Sequence, residues 1–370
     1  MIAIIMSVII IAYVLLIIAF WLGWEKSQPC RELSEEPPAV SIIIAVRNEE
    51  ENIVNLLADI SQQAYPLHLL EVIIVDDHST DSTVRRIQEF SNESAFTIIL
   101  DYLKEEEGKK AAVNKAVALS ENEIMLTADG DCRADTGWVA SMMSCFGNAD
   151  VQLVSGPVRM SAQDSFWQRI QSIEFSSLIS AGAATLTLGW PTMANAANLA
   201  YRKDALEKIN LQVGQNTSSG DDIFLLHEIG RIHNNGVVFC RDQKAIIDTE
   251  SASAISLFFN QRKRWAGKWQ FYHDMPTILL AVFVFLVNLA VLSLPLLVFF
   301  NTISLLLATN LFVVKFVFEY LFLKEVQKFF NSKILLHEFV ILAIIYPAYV
   351  TFVALASLIG TYMWKDRKTR

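Results

Sequence analysis

The chain has 370 residues, with 30 Lys and Arg against 39 Asp and Glu for a net charge of −9, 53% hydrophobic residues and 19% charged residues; its mean hydropathy is +0.36. Soluble globular chains are about 45–50% apolar and about 25% charged, so a wholly water-soluble protein is excluded, and the acidic balance excludes a basic nucleic-acid binder. With 14 Gly, 9 Pro and 4 Cys, collagen-like, low-complexity and disulfide-scaffold classes fall away as well. Cys30, Cys132, Cys145 and Cys240 form no C-x-x-C pair and no zinc-spaced array, which predicts unpaired thiols in a reducing compartment.

In chain order, residues 1–24 carry no charge, and at about 1.5 Å per residue such a helix crosses a hydrocarbon core of roughly 30 Å. Nothing basic precedes the run and no small-x-small site ends it, so it reads as an uncleaved transmembrane anchor. Residues 25–38 are a polar linker ending in Pro37-Pro38. Across 39–250, β-branched runs (Val40 to Val46, Val72 to Val75, Phe96 to Leu100, Ile124 to Thr127, Val151 to Ser155) alternate with helix-like stretches (Glu50 to Ser61, Asp81 to Phe90, Lys109 to Ser120, Trp138 to Phe146). That alternation predicts an α/β fold with a mainly parallel central sheet covered on both faces. Phe166 to Leu188 reads equally as a membrane-surface helix or a core helix.

Residues 251–274 form an interfacial aromatic-basic segment. Residues 275–323 are long enough for a transmembrane hairpin turning near Asn301-Thr302, with Lys315 and Glu319 on one helix face as a packing pair. A basic loop (324–338), a last transmembrane helix (339–364) and a basic tail (365–370) follow. If all four segments cross, loop and tail lie on opposite faces, which the positive-inside rule disfavours; one C-terminal segment is therefore expected to be re-entrant or interfacial.

Ligands of open parallel sheets bind beyond the carboxyl ends of the strands, and those ends are polar here: Arg47-Asn48-Glu49-Glu50, Asp76-Asp77-His78-Ser79-Thr80-Asp81 and Asp129-Gly130-Asp131. Each has a local explanation, a helix N-cap for Ser79 to Asp81 or a tight turn for Asp-Gly. Together they converge on one rim. Two carboxylates one residue apart suit a hard divalent cation, Mg2+ or Mn2+, shared with phosphate oxygens. Gly108-Lys109-Lys110 is only a fragment of a P-loop, so the economical partner is a nucleotide diphosphate carrying something other than phosphate. The metal would then stabilise the departing diphosphate.

In these motifs the chain resembles the family 2 glycosyltransferases of the GT-A fold, in the membrane-bound branch that includes polysaccharide synthases and ceramide glucosyltransferases. Val40 to Glu49 resembles the opening strand and nucleotide-contacting loop, and Val75 to Asp81 the segment whose aspartate holds the base. Gly108-Lys109-Lys110-Ala111-Ala112-Val113-Asn114 is similar to Gly-Lys-x-x-Ala-Leu-Asn except at Val113. Asp129-Gly130-Asp131 occupies the D-x-D position, and Ala197 to Arg202 resembles a Gly-Asn-x-Ala-Phe-Arg strand. Gly220-Asp221-Asp222 stands where the family has Thr-Glu-Asp, and Gln261-Arg262-Lys263-Arg264-Trp265 reproduces Q-x-x-R-W.

The resemblance implies donor binding by Arg47, Asn48, Glu49, Asp76, Asp77, Lys109, Asn114 and Asp129, and metal binding by Asp131 with Asp129. It implies Asp222 as catalytic base beside Asp221, and Gln261, Arg264, Trp265 and Asn198 around diphosphate and acceptor. The activity implied is inverting transfer of a hexosyl or N-acetylhexosaminyl group from a nucleotide-diphosphate sugar, a UDP-sugar in most of the branch. The acceptor is lipid-linked or a growing glycan, and the catalytic domain faces the cytosol. About three C-terminal spans are few to enclose a polysaccharide channel, which favours a lipid-borne acceptor unless a protein partner contributes. The alternatives are a processive synthase subunit and a non-catalytic sugar-nucleotide-binding assembly protein.

Overall fold

The computed structural model describes the chain except residues 28–29, 31–32, 162–164, 208–220, 234–235, 269–271, 273, 359–361, 365–366 and 370. It divides into two units, one formed by Ser27–Ser161 and Thr185–Glu250, the other by Met1–Lys26, Ala162–Ala184 and Ser251–Arg370. In chain order the elements are α1 (Ile2–Lys26), β1 (Val40–Val46), α2 (Ile53–Ser61), β2 (Leu70–Asp76), α3 (Thr83–Ser91), β3 (Thr97–Tyr102), α4 (Lys109–Leu119), β4 (Ile124–Asp129) and β5 (Arg133–Ala134). They continue with α5 (Trp138–Ser144), β6 (Leu153–Ser155), β7 (Val158–Ser161), α6 (Phe166–Thr187), β8 (Leu199–Arg202), α7 (Lys203–Glu207), α8 (Asp221–Ile232), β9 (Val237–Phe239) and β10 (Ile247–Glu250). Last come α9 (Ile255–Gly267), α10 (Met275–Phe299), α11 (Leu305–Phe329), α12 (Leu336–Ser357), β11 (Tyr362–Trp364) and β12 (Arg367–Thr369).

The α/β unit is built outward from β1. Its sequence Val-Ser-Ile-Ile-Ile-Ala-Val offers no polar face, so it is stable as a strand only when covered on both sides. Ile42, Ile43 and Ile44 are at most 1% exposed, and each such burial is worth about 1.5–3 kcal/mol. β2 and β4 pair parallel with β1, and β3 with β2; α4 packs on β1 and β2. The seven-stranded order is β3-β2-β1-β4-β8-β6-β9, with β8 antiparallel between β4 and β6. A second sheet, β5-β10-β7, lies in the same unit.

Strand ends depart slightly from the apolar runs. Val151 donates its N–H to Asn148 in a turn, so β6 starts only at Leu153. The expected set of unpaired thiols needs correction: Cys30 and Cys145 form a disulfide across 115 residues with Cα atoms 4.7 Å apart, leaving Cys132 and Cys240 free. Spacing along the chain carries no information about such a pairing, which depends on where the loop after α5 meets the linker.

In the other unit, α1, α10, α11 and α12 are each long and apolar enough to cross a membrane. Asp274 caps α10 by accepting the Thr277 N–H at 2.9 Å, and the expected turn falls at Asn301, whose φ is +53°. Lys315, 3% exposed, pairs with Glu319 at 2.7 Å, and the Tyr13 hydroxyl of α1 donates to the same carboxylate at 2.5 Å. The pair is thus neutralised by packing, as its spacing suggested. α6 clusters with these helices as far as Ala184. The last apolar helix runs Leu336–Ser357 rather than to Trp364; Tyr362–Trp364 pairs antiparallel with Arg367–Thr369. Aromatic residues followed by a charged tail favour a strand over a further helical turn.

Candidate active site

The register of the sheet brings the polar loops together. Val46 lies opposite Asp76, and Ala45 opposite Asp129, so the loop after β1 is flanked by the acidic ends of β2 and β4. Asn48 takes φ +52°, a left-handed conformation that Asn tolerates better than most residues. From there its N–H donates to Ser79 Oγ and its Oδ1 accepts the Thr80 N–H, both at 2.9 Å. Glu49 donates its N–H to Thr83 Oγ1 at 2.8 Å, and Arg47 Nη1 donates to the Asp77 carbonyl at 2.8 Å. The first two loops are therefore locked to each other by backbone and side-chain bonds.

Asp76 is 4% exposed; its Oδ2 accepts the Ser79 N–H at 3.0 Å while its Oδ1 is buried without a hydrogen-bond partner among the described residues. A buried acceptor left unmade costs about 1–3 kcal/mol, so this oxygen suits an N–H of a bound ligand. Asp77 Oδ2 accepts the Gly108 N–H at 3.1 Å, fastening the start of α4 to the end of β2. Gly108 has φ +99°, which only glycine adopts freely.

Lys109, the first residue of α4, forms an ion pair with Asp129. Gly130 lets the D-x-D turn approach the β1 loop, since a Cβ there would stand 3.0 Å from Glu49 Cγ and 3.2 Å from Val46 Cγ1. Asp131 Oδ2 accepts from Thr249 Oγ1 of β10 at 3.4 Å. Asp222 joins the same edge through one residue. Its Oδ2 accepts the Ala196 N–H at 3.3 Å and its Oδ1 the Ile223 N–H at 2.9 Å. The Ala196 carbonyl in turn accepts from Thr127 Oγ1 at 2.6 Å, two residues before Asp129 on β4.

Two half-buried carboxylates separated by one glycine present the oxygen ligands that Mg2+ or Mn2+ prefers. Burial, and then the charges of Asp129 and Asp131, push the neighbouring Cys132 thiol well above its ordinary value. Burial thus disfavours a thiolate beside the turn.

Other expected site residues lie elsewhere. Asn198 is fully buried: its Nδ2 donates to the carbonyls of Pro157 at 2.9 Å and Ala245 at 2.8 Å, and its Oδ1 accepts from Trp138 Nε1 at 2.9 Å. Every polar atom is committed to the protein, so Asn198 is a clamp between β7, α5 and β10 rather than a contact to diphosphate or acceptor. Asn114 is exposed on α4, roughly 140° around the helix from Lys109 at five residues' separation, away from the face Lys109 uses. Gln261, Arg264 and Trp265 belong to α9 in the membrane unit. Asp221 opens α8, and its side chain lies outside the described residues. Thr127, Ala196 and Thr249, which hold Asp222 and Asp131, carry no motif; only strand pairing and loop placement identify them.

A mostly parallel sheet whose carboxyl edge gathers these acids is the GT-A fold. Residues 41–210 match the model of Glycosyl transferase family 2, and this α/β domain belongs to that family. A beta-monoglucosyldiacylglycerol synthase of Nostoc sp. is 28% identical over 249 residues, 66% of this chain and 52% of that protein. A poly-beta-1,6-N-acetyl-D-glucosamine synthase of Staphylococcus epidermidis is 28% identical over 146 residues, 39% of this chain and 34% of that protein. The chain thus spans about half the length, or less, of these relatives. A mannosyltransferase of Pyrobaculum calidifontis, solved with GDP-Man and Mn2+, superposes with a TM-score of 0.57 over 96% of both chains at 17% identity, a likeness of fold.

Replacing Asn198 with Ala removes the acceptor of the Trp138 indole N–H and a donor to the Ala245 and Pro157 carbonyls, of which Pro157 keeps the Ile247 N–H. The melting temperature is expected to fall, by an amount equivalent to about 2–4 kcal/mol, which thermal unfolding of the purified chain measures.

Burial alone would raise the Asp81 carboxyl, but the Thr83 hydroxyl and the N–H groups of Thr83 and Glu50 outweigh it and hold the group below its ordinary value. Its contribution to stability is therefore complete above the ordinary carboxylate range and is lost as pH falls through the lowered value. In a melting series from about pH 6 to 3, Asp81→Asn is expected to show a smaller acid-induced loss than the parent chain.

Proposed function

We propose that the chain is a membrane-embedded inverting glycosyltransferase that moves a hexosyl or N-acetylhexosaminyl group from a nucleotide-diphosphate sugar, most simply a UDP-sugar, to a lipid-borne acceptor hydroxyl. The observation that carries this reading is the tie of Asp222 through Ala196 to Thr127, which fastens a carboxylate to the strand that ends in Asp129. The name of one relative, a monoglucosyldiacylglycerol synthase, supports a lipid-borne acceptor, whereas that of another, a poly-N-acetylglucosamine synthase, fits the growing-glycan alternative.

The roles follow from placement. Asp76 holds the base through its unpartnered Oδ1, and the Arg47 to Glu49 loop closes over the nucleoside. Asp131, with Asp129, would hold Mg2+ or Mn2+, which when bound stabilises negative charge on the leaving diphosphate. Lys109 orients Asp129. Asp222, its two oxygens steered by N–H groups, accepts the acceptor proton as the hydroxyl attacks the anomeric carbon. Of the Q-x-x-R-W residues, Gln261 and Trp265 are assigned to the acceptor and Arg264 to the departing diphosphate. Because nucleotide sugars are made in the cytosol, the domain faces that side.

Asp222→Asn preserves shape and removes the base. With labelled donors, lipid nanodiscs and Mn2+ or Mg2+, sugar transfer is expected to fall by about 10²–10⁴-fold while nucleotide binding persists; unchanged turnover would remove Asp222 from the mechanism. Chelation of the metal should abolish transfer in the parent chain.

The cytosolic face has a second consequence. Thiols there are kept reduced, so the Cys30–Cys145 bond of the structure and a cytosolic domain are at odds, and alkylation of intact cells before lysis decides between them: the cytosolic reading expects label on both residues. Recovery of the two as a linked peptide pair would instead place the domain in an oxidising compartment.

A further inference from the structure

The Q-x-x-R-W motif contains a residue that its pattern leaves unspecified. Arg262 is 3% exposed on α9, and Glu174 of α6, 4% exposed, faces it within the same unit. The guanidinium Nε lies 3.1 Å from both Glu174 oxygens and Nη2 lies 2.5 Å from Oε2. Tyr349 of α12 donates its hydroxyl to Glu174 Oε1 at 3.1 Å, so the carboxylate is held by two further helices. Burial works against the Arg262 charge, but the adjacent Glu174 more than offsets it and raises the group's affinity for its proton.

The rest of the guanidinium is spent on the motif itself. Nη1 donates to Gln261 Oε1 at 2.6 Å. The charge stands 4.4 Å from the Trp265 ring centroid and 4.6 Å from that of Phe258, a cation–π sandwich of neighbours three and four residues away on one helix face. Trp265 also meets Phe175, the residue after Glu174, with centroids 5.8 Å apart. The first and last residues of the motif are therefore oriented by the second, and the second by an acid on α6. A fork that pairs in-plane and stacks on both faces is a task for Arg that Lys performs poorly.

We propose that the buried Arg262–Glu174 pair is the positioning device of the acceptor-side motif: it fixes Gln261 and Trp265 on α9 and so sets the affinity for the acceptor without touching the donor. This rests on the reading of the chain as a glycosyltransferase. A buried pair broken on one side leaves an uncompensated charge, whereas replacing both charges by neutral polar groups does not. The two kinds of variant are therefore expected to differ.

The test uses the full chain in nanodiscs of phosphatidylglycerol containing diacylglycerol as acceptor, with a panel of labelled UDP-sugars. Glu174→Gln and Arg262→Lys are expected to raise the diacylglycerol KM by about tenfold or more with the donor KM unchanged. Amide exchange across 255–267 is expected to speed by about tenfold while α10 and α11 keep the parent's protection. The double variant Glu174→Gln/Arg262→Gln is expected to recover part of the exchange protection, since no buried charge is left unpaired, while the diacylglycerol KM stays raised because the guanidinium that orients Gln261 and Trp265 is gone. Unchanged exchange in α9, or activity lost only in proportion to folded protein with both KM values intact, overturns the proposal. If the parent chain transfers no sugar, the glycosyltransferase reading fails, and the exchange measurement by itself decides whether the pair positions α9.

Discussion

The parallel, unslipped pairing of β1 with β2 and β4 is the constraint on which the α/β unit depends. Side chains in a strand alternate faces, so a slip of one residue would turn every buried Ile of β1 toward the wrong layer. Fixing Val40 opposite Leu70 and Ile124 to satisfy that burial also fixes what lies beyond the strands. Asp76 comes out opposite Val46 and Asp129 opposite Ala45, on the two strands that flank the end of β1. The acidic edge is thus a by-product of apolar packing, held at no separate cost in register.

Polar bonds then refine what the sheet has placed. Asp77 fastens Gly108, Asp81 draws in Glu50 and Thr83, and Thr127 reaches Ala196, which carries Asp222. Each is short-range and each is satisfied, in keeping with the cost of buried polar groups left unpaired. Asp76 Oδ1 is among the buried polar atoms that have no partner among the described residues, and it falls where a nucleoside base is assigned. The membrane unit follows a different logic. Its buried charges Lys315, Arg262, Glu174 and Glu338 sit in matched sets, Lys315 with Glu319 and Tyr13, Arg169 with Glu338, and Arg262 with Glu174 and Tyr349. An isolated charge at such buried positions would have nothing to replace its lost hydration.

Much of this was legible in the residues themselves. The period of the apolar runs located β1 to its exact ends and α4 to within a residue, because a fully buried strand has no choice but to be continuous in β-branched carbon. The four helices long and apolar enough to cross a membrane were legible for the same reason, and the turn at Asn301 because little else interrupts the run from Met275. Boundaries blurred where composition changes gradually, as at α12, whose apolar character fades into Tyr362 and Trp364. Short motifs marked Asp129, Asp131 and Asp222, since chemistry restricts which residue types can serve.

The sequence by itself determined the class of fold, the spans and the acids available for chemistry, because these depend on local pattern: hydrophobic period, charge-free length and residue type. Only the tertiary structure decided that Asn198 is a clamp, that Cys30 meets Cys145, and that Arg262 and not only its motif neighbours organises α9. Those outcomes depend on which distant segments come within hydrogen-bond reach. That is a matter of packing between elements 40 to 115 residues apart, on which the spacing of letters along the chain is silent.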